Sequence, residues 1–157
     1  MMINSAREAA EILMRQDDIL ILTHANPDGD TLGCGYALCR ALLSLGKKAK
    51  VSCSDEIPPK YSYLSAGIEE TEFEPKFIVA VDVADTKLLG KKNEELYCDK
   101  IDLCIDHHGS NRLFAKETLL NAKAAAACEI ILETVKALGA EVTQEIADCI
   151  YTGLSTD

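Results

Sequence analysis

Three short apolar runs in this chain each end on residues that bind protons or cations, and that pairing restricts the folds open to it. Ile19–Leu22 leads into His24-Ala25-Asn26-Pro27-Asp28-Gly29-Asp30. Phe77–Val81 leads into Asp82, and residues 101–105, apolar but for Asp102, lead into Asp106-His107-His108. A strand that is apolar at successive positions is covered on both faces, which in soluble proteins means a parallel sheet flanked by helices. In such open sheets a ligand site lies beyond the carboxyl ends of the strands, at a switch point.

The intervening sequence supplies the helices. Ser5-Ala6-Arg7-Glu8 is a capping box, and Ala6, Ala10 and Leu13 continue one face to about Arg15. A second helix follows the 24–30 loop, carries Leu38, Leu42 and Leu45 on one face and stops at Gly46. Strands are expected at 19–23, 49–53, 77–81, 101–105 and 118–120, with a loop around Pro58-Pro59. A long helix is expected over 124–138 with Gly139 as its stop, and a last one from Thr143 toward Leu154. Strands alternating with helices argue for an α/β, Rossmann-like parallel sheet of five strands with helices on both faces. For the three polar clusters to meet, strand 1 must neighbour strand 3 and strand 3 must neighbour strand 4, a requirement that the order 2-1-3-4-5 satisfies. The sequence shows no repeat, low-complexity linker or domain boundary, so residues 1–157 read as one domain.

Composition excludes several classes of function. With 48% hydrophobic and 27% charged residues the chain is globular, not disordered. The formal charge of −10 argues against a groove that grips long duplex nucleic acid, although a short polyanion remains open to it. No apolar run approaches the roughly 18 residues of a membrane span, and the N-terminus lacks signal-peptide order, so no membrane partner and a cytoplasmic location are expected. The seven cysteines are odd in number and form no C-x-x-C pair. Cys39, Cys104, Cys128 and Cys149 sit in apolar patterns and read as reduced core thiols, with a thiolate zinc site as the minor alternative.

The clusters carry the chemistry. A buried carboxylate costs several kcal/mol unless it is paired or metal-bound. Asp82 and Asp106 follow apolar strands with no adjacent basic residue; Arg40, Lys60 and Lys76 lie further along the chain. Taken singly, an Asp after a strand is a helix cap, Asn-Pro-Asp-Gly is a turn, and one histidine is a loop residue. All three histidines of the chain nonetheless fall at these strand ends. Imidazole with hard oxygen ligands suits Mn²⁺, Mg²⁺ or Zn²⁺. His24, Asp28, Asp30, Asp82, Asp106, His107 and His108 together suggest a two-metal phosphoesterase, in which paired ions activate water and clamp an in-line displacement.

The residues His24-x-x-Pro27-Asp28-x-Asp30, Val79-x-Val81-Asp82, Asp106-His107-His108 and Gly153-x-x-Thr156-Asp157 resemble the four motifs of the DHH phosphoesterase family. The run Ala80-Val81-Asp82-Val83-Ala84-Asp85-Thr86-Lys87-Leu88-Leu89-Gly90 is similar to the branch of bacterial oligoribonucleases that also dephosphorylate adenosine 3′,5′-bisphosphate. The resemblance implies two Mn²⁺ ions, with Mg²⁺ or Co²⁺ as substitutes. It implies His24 and Asp28 on the first ion, Asp30, His107 and Asp157 on the second, and Asp82 bridging both. His108 would then be the catalytic residue facing the scissile phosphate, with Asp106 anchoring the site behind it. Asn111 and Arg112, and further on Lys116, are expected to reach substrate phosphate or else to turn the loop and remain solvated. Only the resemblance selects Asp157 or separates His107 from His108.

Members of that branch continue into a second, nucleotide-holding domain, so residues 1–157 are expected to be the catalytic domain alone. The implied substrates are short RNA and nucleotide phosphates, and a homodimer is the family-level expectation. Cyclic dinucleotide or pyrophosphate hydrolysis is the rival within the same chemistry. A metal-binding fragment, inactive without its second domain, is the rival from another class.

Overall fold

The computed structural model describes residues 1–157. Six strands form one all-parallel sheet: β1 (Met2–Ile3), β2 (Ile19–Leu22), β3 (Ala49–Ser52), β4 (Phe77–Val81), β5 (Leu103–Asp106) and β6 (Glu117–Leu120). Their order is β1-β6-β5-β4-β2-β3. The five expected strands keep their expected order, and the count is corrected from five to six by β1 at the β6 edge. Two residues are too few to show any period, so β1 is held by pairing alone, Met2 opposite Thr118 and Ile3 opposite Leu119. The α/β, Rossmann-like class stands.

Alternation along the strands divides the interior in two. Ile19, Ile21, Val79, Val81, Leu103 and Ile105 point to one face and join the larger core. Against that face pack α1 (Ala6–Met14), α2 (Gly29–Ser44), α4 (Ala127–Ala137) and α5 (Gln144–Thr156). Leu20, Leu22, Ile78, Ala80 and Cys104 point the other way, into a smaller core with Val83, Leu89 and Ile101. That side is covered more thinly, by the 3₁₀ turn 86–89 and the short α3 (Lys91–Tyr97), whose Tyr97 packs on it. Neither α3 nor the 3₁₀ segment at 59–65 shows an apolar period in the sequence; tertiary contact decides both.

Helix starts follow local chemistry. Ser5 caps α1 by accepting from the Glu8 amide at 3.3 Å, and Thr143 caps α5 by accepting from the Ile146 amide at 3.2 Å. α2 begins at Gly29, within the expected 24–30 loop, because Asp28 accepts from the Thr31 amide at 2.9 Å. Asp30 therefore stands in the first turn of a helix and not in a loop. α4 begins at Ala127, three residues later than expected, with Ala126 extended at its cap.

Close packing of α2, α4 and α5 orders the carboxyl end of the sheet. A methyl group on Gly33 of α2 would collide with the Cys149 carbonyl of α5, and one on Gly29 would collide with Thr156. One on Gly153 of α5 would strike the Cys128 thiol of α4. These contacts bring the end of α5, with Asp157, over the start of α2. Gly33→Ala should lower stability by about 1–3 kcal/mol, since rigid backbone meets the new methyl. Gly35→Ala, where the methyl meets only side-chain methyls of Thr23 and Val51, should be milder. Equal urea midpoints for the two variants would contradict this packing.

Candidate metal centre

All three clusters and the chain end converge beyond the carboxyl ends of β2, β4 and β5. Asp82 directly follows β4 and is central. Its backbone lies in the left-handed region, at φ +61°, a conformation that costs a non-glycine residue free energy and persists only when its surroundings enforce it. The Asp82 amide donates to the Ile105 carbonyl at 2.9 Å, and its carboxylate is turned into the site.

The two oxygens of Asp82 face different histidines. Oδ2 lies 3.7 Å from His24 Nε2, which is 3.5 Å from Asp28 Oδ1. Oδ1 lies 3.4 Å from His107 Nε2, which is 3.6 Å from Asp30 Oδ2 and 3.4 Å from Asp157 Oδ2. His24, Asp28 and Asp82 thus form one group of converging donors, and Asp30, His107 and Asp157 form a second. Both histidines are oriented from behind. His24 Nδ1 sits 2.7 Å from the Ala25 carbonyl and His107 Nδ1 3.3 Å from the Ala124 carbonyl. Donation from Nδ1–H to a carbonyl leaves Nε2 as a bare lone pair, the arrangement of metal-ligating imidazoles.

The donor set fits divalent cations. Asp82 Oδ1 and His107 Nε2 are buried without a hydrogen-bond partner, and buried polar atoms are normally paired. The carboxylates of Asp28, Asp30, Asp82, Asp106 and Asp157 form ion pairs only with histidines, never with Lys or Arg. Ligand atoms about 2.1 Å from an ion lie roughly 3.0–3.5 Å from one another, close to these separations.

Electrostatics report the same strain. Burial, and then the charges of Asp30, Asp28, Asp106 and Asp157, push the Asp82 carboxyl up to about 10. Burial and Asp30 also raise Asp157, against the opposing pull of His107. Burial raises Asp28, but the His24 side chain and the Thr31 amide outweigh it and hold its pKa below the ordinary value. Burial disfavours charge on His24, yet its bonds to Asp28 and to the Ala25 carbonyl raise its pKa overall.

Behind the donors lies a second group. His108 Nδ1 is 2.7 Å from Asp106 Oδ1, and its side chain, 43% exposed, leaves Nε2 without a protein partner. Asn111 donates to Asp106 Oδ2 at 2.8 Å and to the Val83 carbonyl at 3.2 Å, while its carbonyl accepts from the Leu113 amide. Its polar atoms are thus engaged within the loop. Arg112 lies 3.6 Å from Asp85, with its guanidinium largely exposed on the rim. Lys116 is placed elsewhere: it pairs with Asp102 at 3.1 Å, at the amino end of β5, away from the site. The buried thiols of Cys34 and Cys128 touch at 3.5 Å beside Asp30, and all seven cysteines are free.

Sequence reasoning missed two residues that hold the site together. Thr31 is fully buried; its hydroxyl donates to the Val81 carbonyl at 3.0 Å and accepts from the His24 amide at 3.3 Å, tying β2 to the end of β4. Asp55 follows β3 and accepts from the Asn26 amide at 2.6 Å, pinning the loop that carries His24 and Asp28. Asp55 stands at the same end of the sheet as the clusters, and that position was its only signal.

Residues 18–154 match the model of the DHH family, N-terminal domain. The chain belongs to the DHH family. It is 33% identical over 159 residues to the bifunctional oligoribonuclease and PAP phosphatase NrnA of Thermus thermophilus, a match covering 96% of this chain and 47% of that protein. The NrnA of Mycoplasma pneumoniae is 25% identical over 166 residues, covering 98% and 50%. This DHH chain thus spans about half the length of the curated relatives it matches. Among solved structures, an exopolyphosphatase-related protein from Bacteroides fragilis superposes with TM-score 0.83 at 20% identity, covering 95% of this chain and 48% of that one. RecJ from Thermus thermophilus in complex with Mn²⁺ superposes with TM-score 0.57 at 22% identity, covering 92% and 23%. Both show the same fold. No helix of the chain is long and apolar enough to cross a membrane.

The Asp82 shift has a definite sign. The unfolded chain ionises this carboxyl near 3.8, whereas the metal-free folded protein holds its proton to about 10. Between these limits the folded state carries the extra proton, so this contribution to stability is full below the lower value and is lost as pH rises through the higher. Asp82→Asn removes that slope. In metal-free protein its urea midpoint, relative to wild type, should be higher near pH 8 than near pH 5; parallel pH profiles would refute the assignment.

Proposed function

We propose that this chain is the catalytic part of a two-metal phosphoesterase acting on short oligoribonucleotides and nucleotide phosphates such as adenosine 3′,5′-bisphosphate. The observation that carries this reading is the placement of Asp82 between two histidine-led donor groups, one on each carboxylate oxygen. The substrate class follows from the NrnA relatives, which are named for these two activities. Mn²⁺ is favoured by the mixed imidazole and carboxylate donors and by the RecJ structure that holds it.

His24, Asp28 and Asp82 would hold one ion, and Asp30, His107, Asp157 and Asp82 the other. The chemistry that divalent cations supply there is Lewis-acid charge on a phosphoryl group and activation of water for in-line attack. The protein's own residues do the remainder. Asp106 fixes His108 with Nδ1 as the donating nitrogen, and Asn111 fixes Asp106. That leaves His108 Nε2 as the atom facing outward, and only in the imidazolium form, with both ring nitrogens protonated, would it deliver a proton to the leaving oxygen or donate to a phosphoryl oxygen. Arg112, on the rim, suits a substrate phosphate once it exchanges its exposed pairing with Asp85.

Asp82→Ala should abolish binding of both ions, whereas His107→Ala should weaken chiefly the second, as read by Mn²⁺ titration. Mn²⁺-dependent cleavage of a ribodinucleotide or of adenosine 3′,5′-bisphosphate should fall by about 10³-fold in Asp82→Ala, because Lewis-acid stabilisation is worth several kcal/mol. Stoichiometric Mn²⁺ binding unchanged in that variant would refute the bridging role.

A further inference from the structure

Helix α4 starts on a residue that cannot cap it. The first amides of any helix lack intrahelical acceptors, and Ala126 at the cap position offers no side-chain oxygen. The acceptor comes instead from α2, 97 and 98 residues away: the Ala127 amide donates to Asp30 Oδ2 at 2.9 Å, and the Cys128 amide donates to Asp30 Oδ1 at 3.0 Å. Asp30 is wholly buried, and the Cys34 thiol adds a weak contact to Oδ1 at 3.7 Å. Gly153 keeps α5 clear of this junction, since a methyl there would come within 3.0 Å of Asp30 Oδ1 and collide with Cys128.

We propose that Asp30 is the N-cap of α4 as well as a donor to the metal centre, so that the first turn of α4 is the positioning element for the second ion. Each carboxylate oxygen accepts one amide, which fixes the plane of the group and leaves lone pairs on the side facing His107, 3.6 Å from Oδ2. The positive end of α4 also offsets the charge of a carboxylate that no Lys or Arg approaches. Two small residues, Ala126 and Ala127, let the backbone come this close. The capping role stands on hydrogen bonds alone; the positioning role rests on the two-metal reading above.

The two roles separate experimentally in this chain. In metal-free protein, Asp30→Ala should speed hydrogen exchange at the Ala127 and Cys128 amides roughly tenfold, as loss of a cap does, and lower the thermal midpoint. Asp82→Ala, which removes a strained carboxylate and no cap, should leave both amides protected. Adding Ala126→Ser to Asp30→Ala gives α4 a local cap and should restore the midpoint without restoring the second ion. Ala127→Pro, acceptable at the first helical position but without its N–H, should keep the first Mn²⁺ and weaken the second about 10–100-fold, read by the loss of the spin-coupled signal in electron paramagnetic resonance. Unchanged amide exchange in Asp30→Ala would overturn the cap. Wild-type affinity for the second Mn²⁺ in a folded Ala127→Pro protein would overturn the positioning role. If the proline variant does not fold, exchange and the serine rescue decide. Should the wild-type chain bind no Mn²⁺, the two-metal reading fails while the exchange result still judges the cap.

Discussion

Crowding of negative charge around Asp82 is the constraint on which the rest of this structure depends. One carboxylate, strained into left-handed backbone at a strand end and nearly inaccessible to water, has four others close enough to raise its proton affinity. No lysine or arginine relieves it, and two imidazoles turn bare nitrogens toward it. Such a cluster is stable only with protons or cations in its midst. The fold accepts instability here because six parallel strands and two hydrophobic cores stabilise the remainder.

The site is assembled from distant parts of the chain, and each part is held from behind. Thr31 and Asp55 pin the loop carrying His24 and Asp28. The Ala124 carbonyl turns His107, and the first amides of α4 grip Asp30. Asp157 reaches the site only because glycines in α2 and α5 allow the helices to touch, which carries the end of α5 over the start of α2. Stability of the helical layer and geometry of the candidate metal centre are therefore one problem in this protein. A methyl group in that contact disturbs both.

Much of this was legible in the sequence. Apolar strands ending in Asp82 and in Asp106-His107-His108 predict a parallel sheet with a site at its carboxyl edge, and requiring the clusters to meet puts β2 beside β4 and β4 beside β5, as found. β1 was not legible, because two residues carry no periodicity. α3 was hidden by a polar sequence without an apolar face. The late start of α4 was hidden because an alanine run favours helix throughout, and only the acceptor at Asp30 fixes where it begins. Lys116 looked available for substrate, yet its neighbour in space is Asp102 at the far end of the strand.

What the sequence by itself determined is the kind of chemistry: hydrophobic periodicity sets the sheet, and residue type at the strand ends sets hard, anionic, imidazole-containing donors. The position of Asp82 between His24 and His107, and the different orientations of His107 and His108, were decided only in three dimensions. Adjacent histidines are equivalent as letters. They diverge because one ring is anchored by the Ala124 carbonyl and aimed inward, while the other is taken by Asp106 and left facing outward. The Ala124 anchor reaches His107 across 17 residues through the fold, and although Asp106 is only two residues from His108, nothing in the letters says which of the two rings it takes.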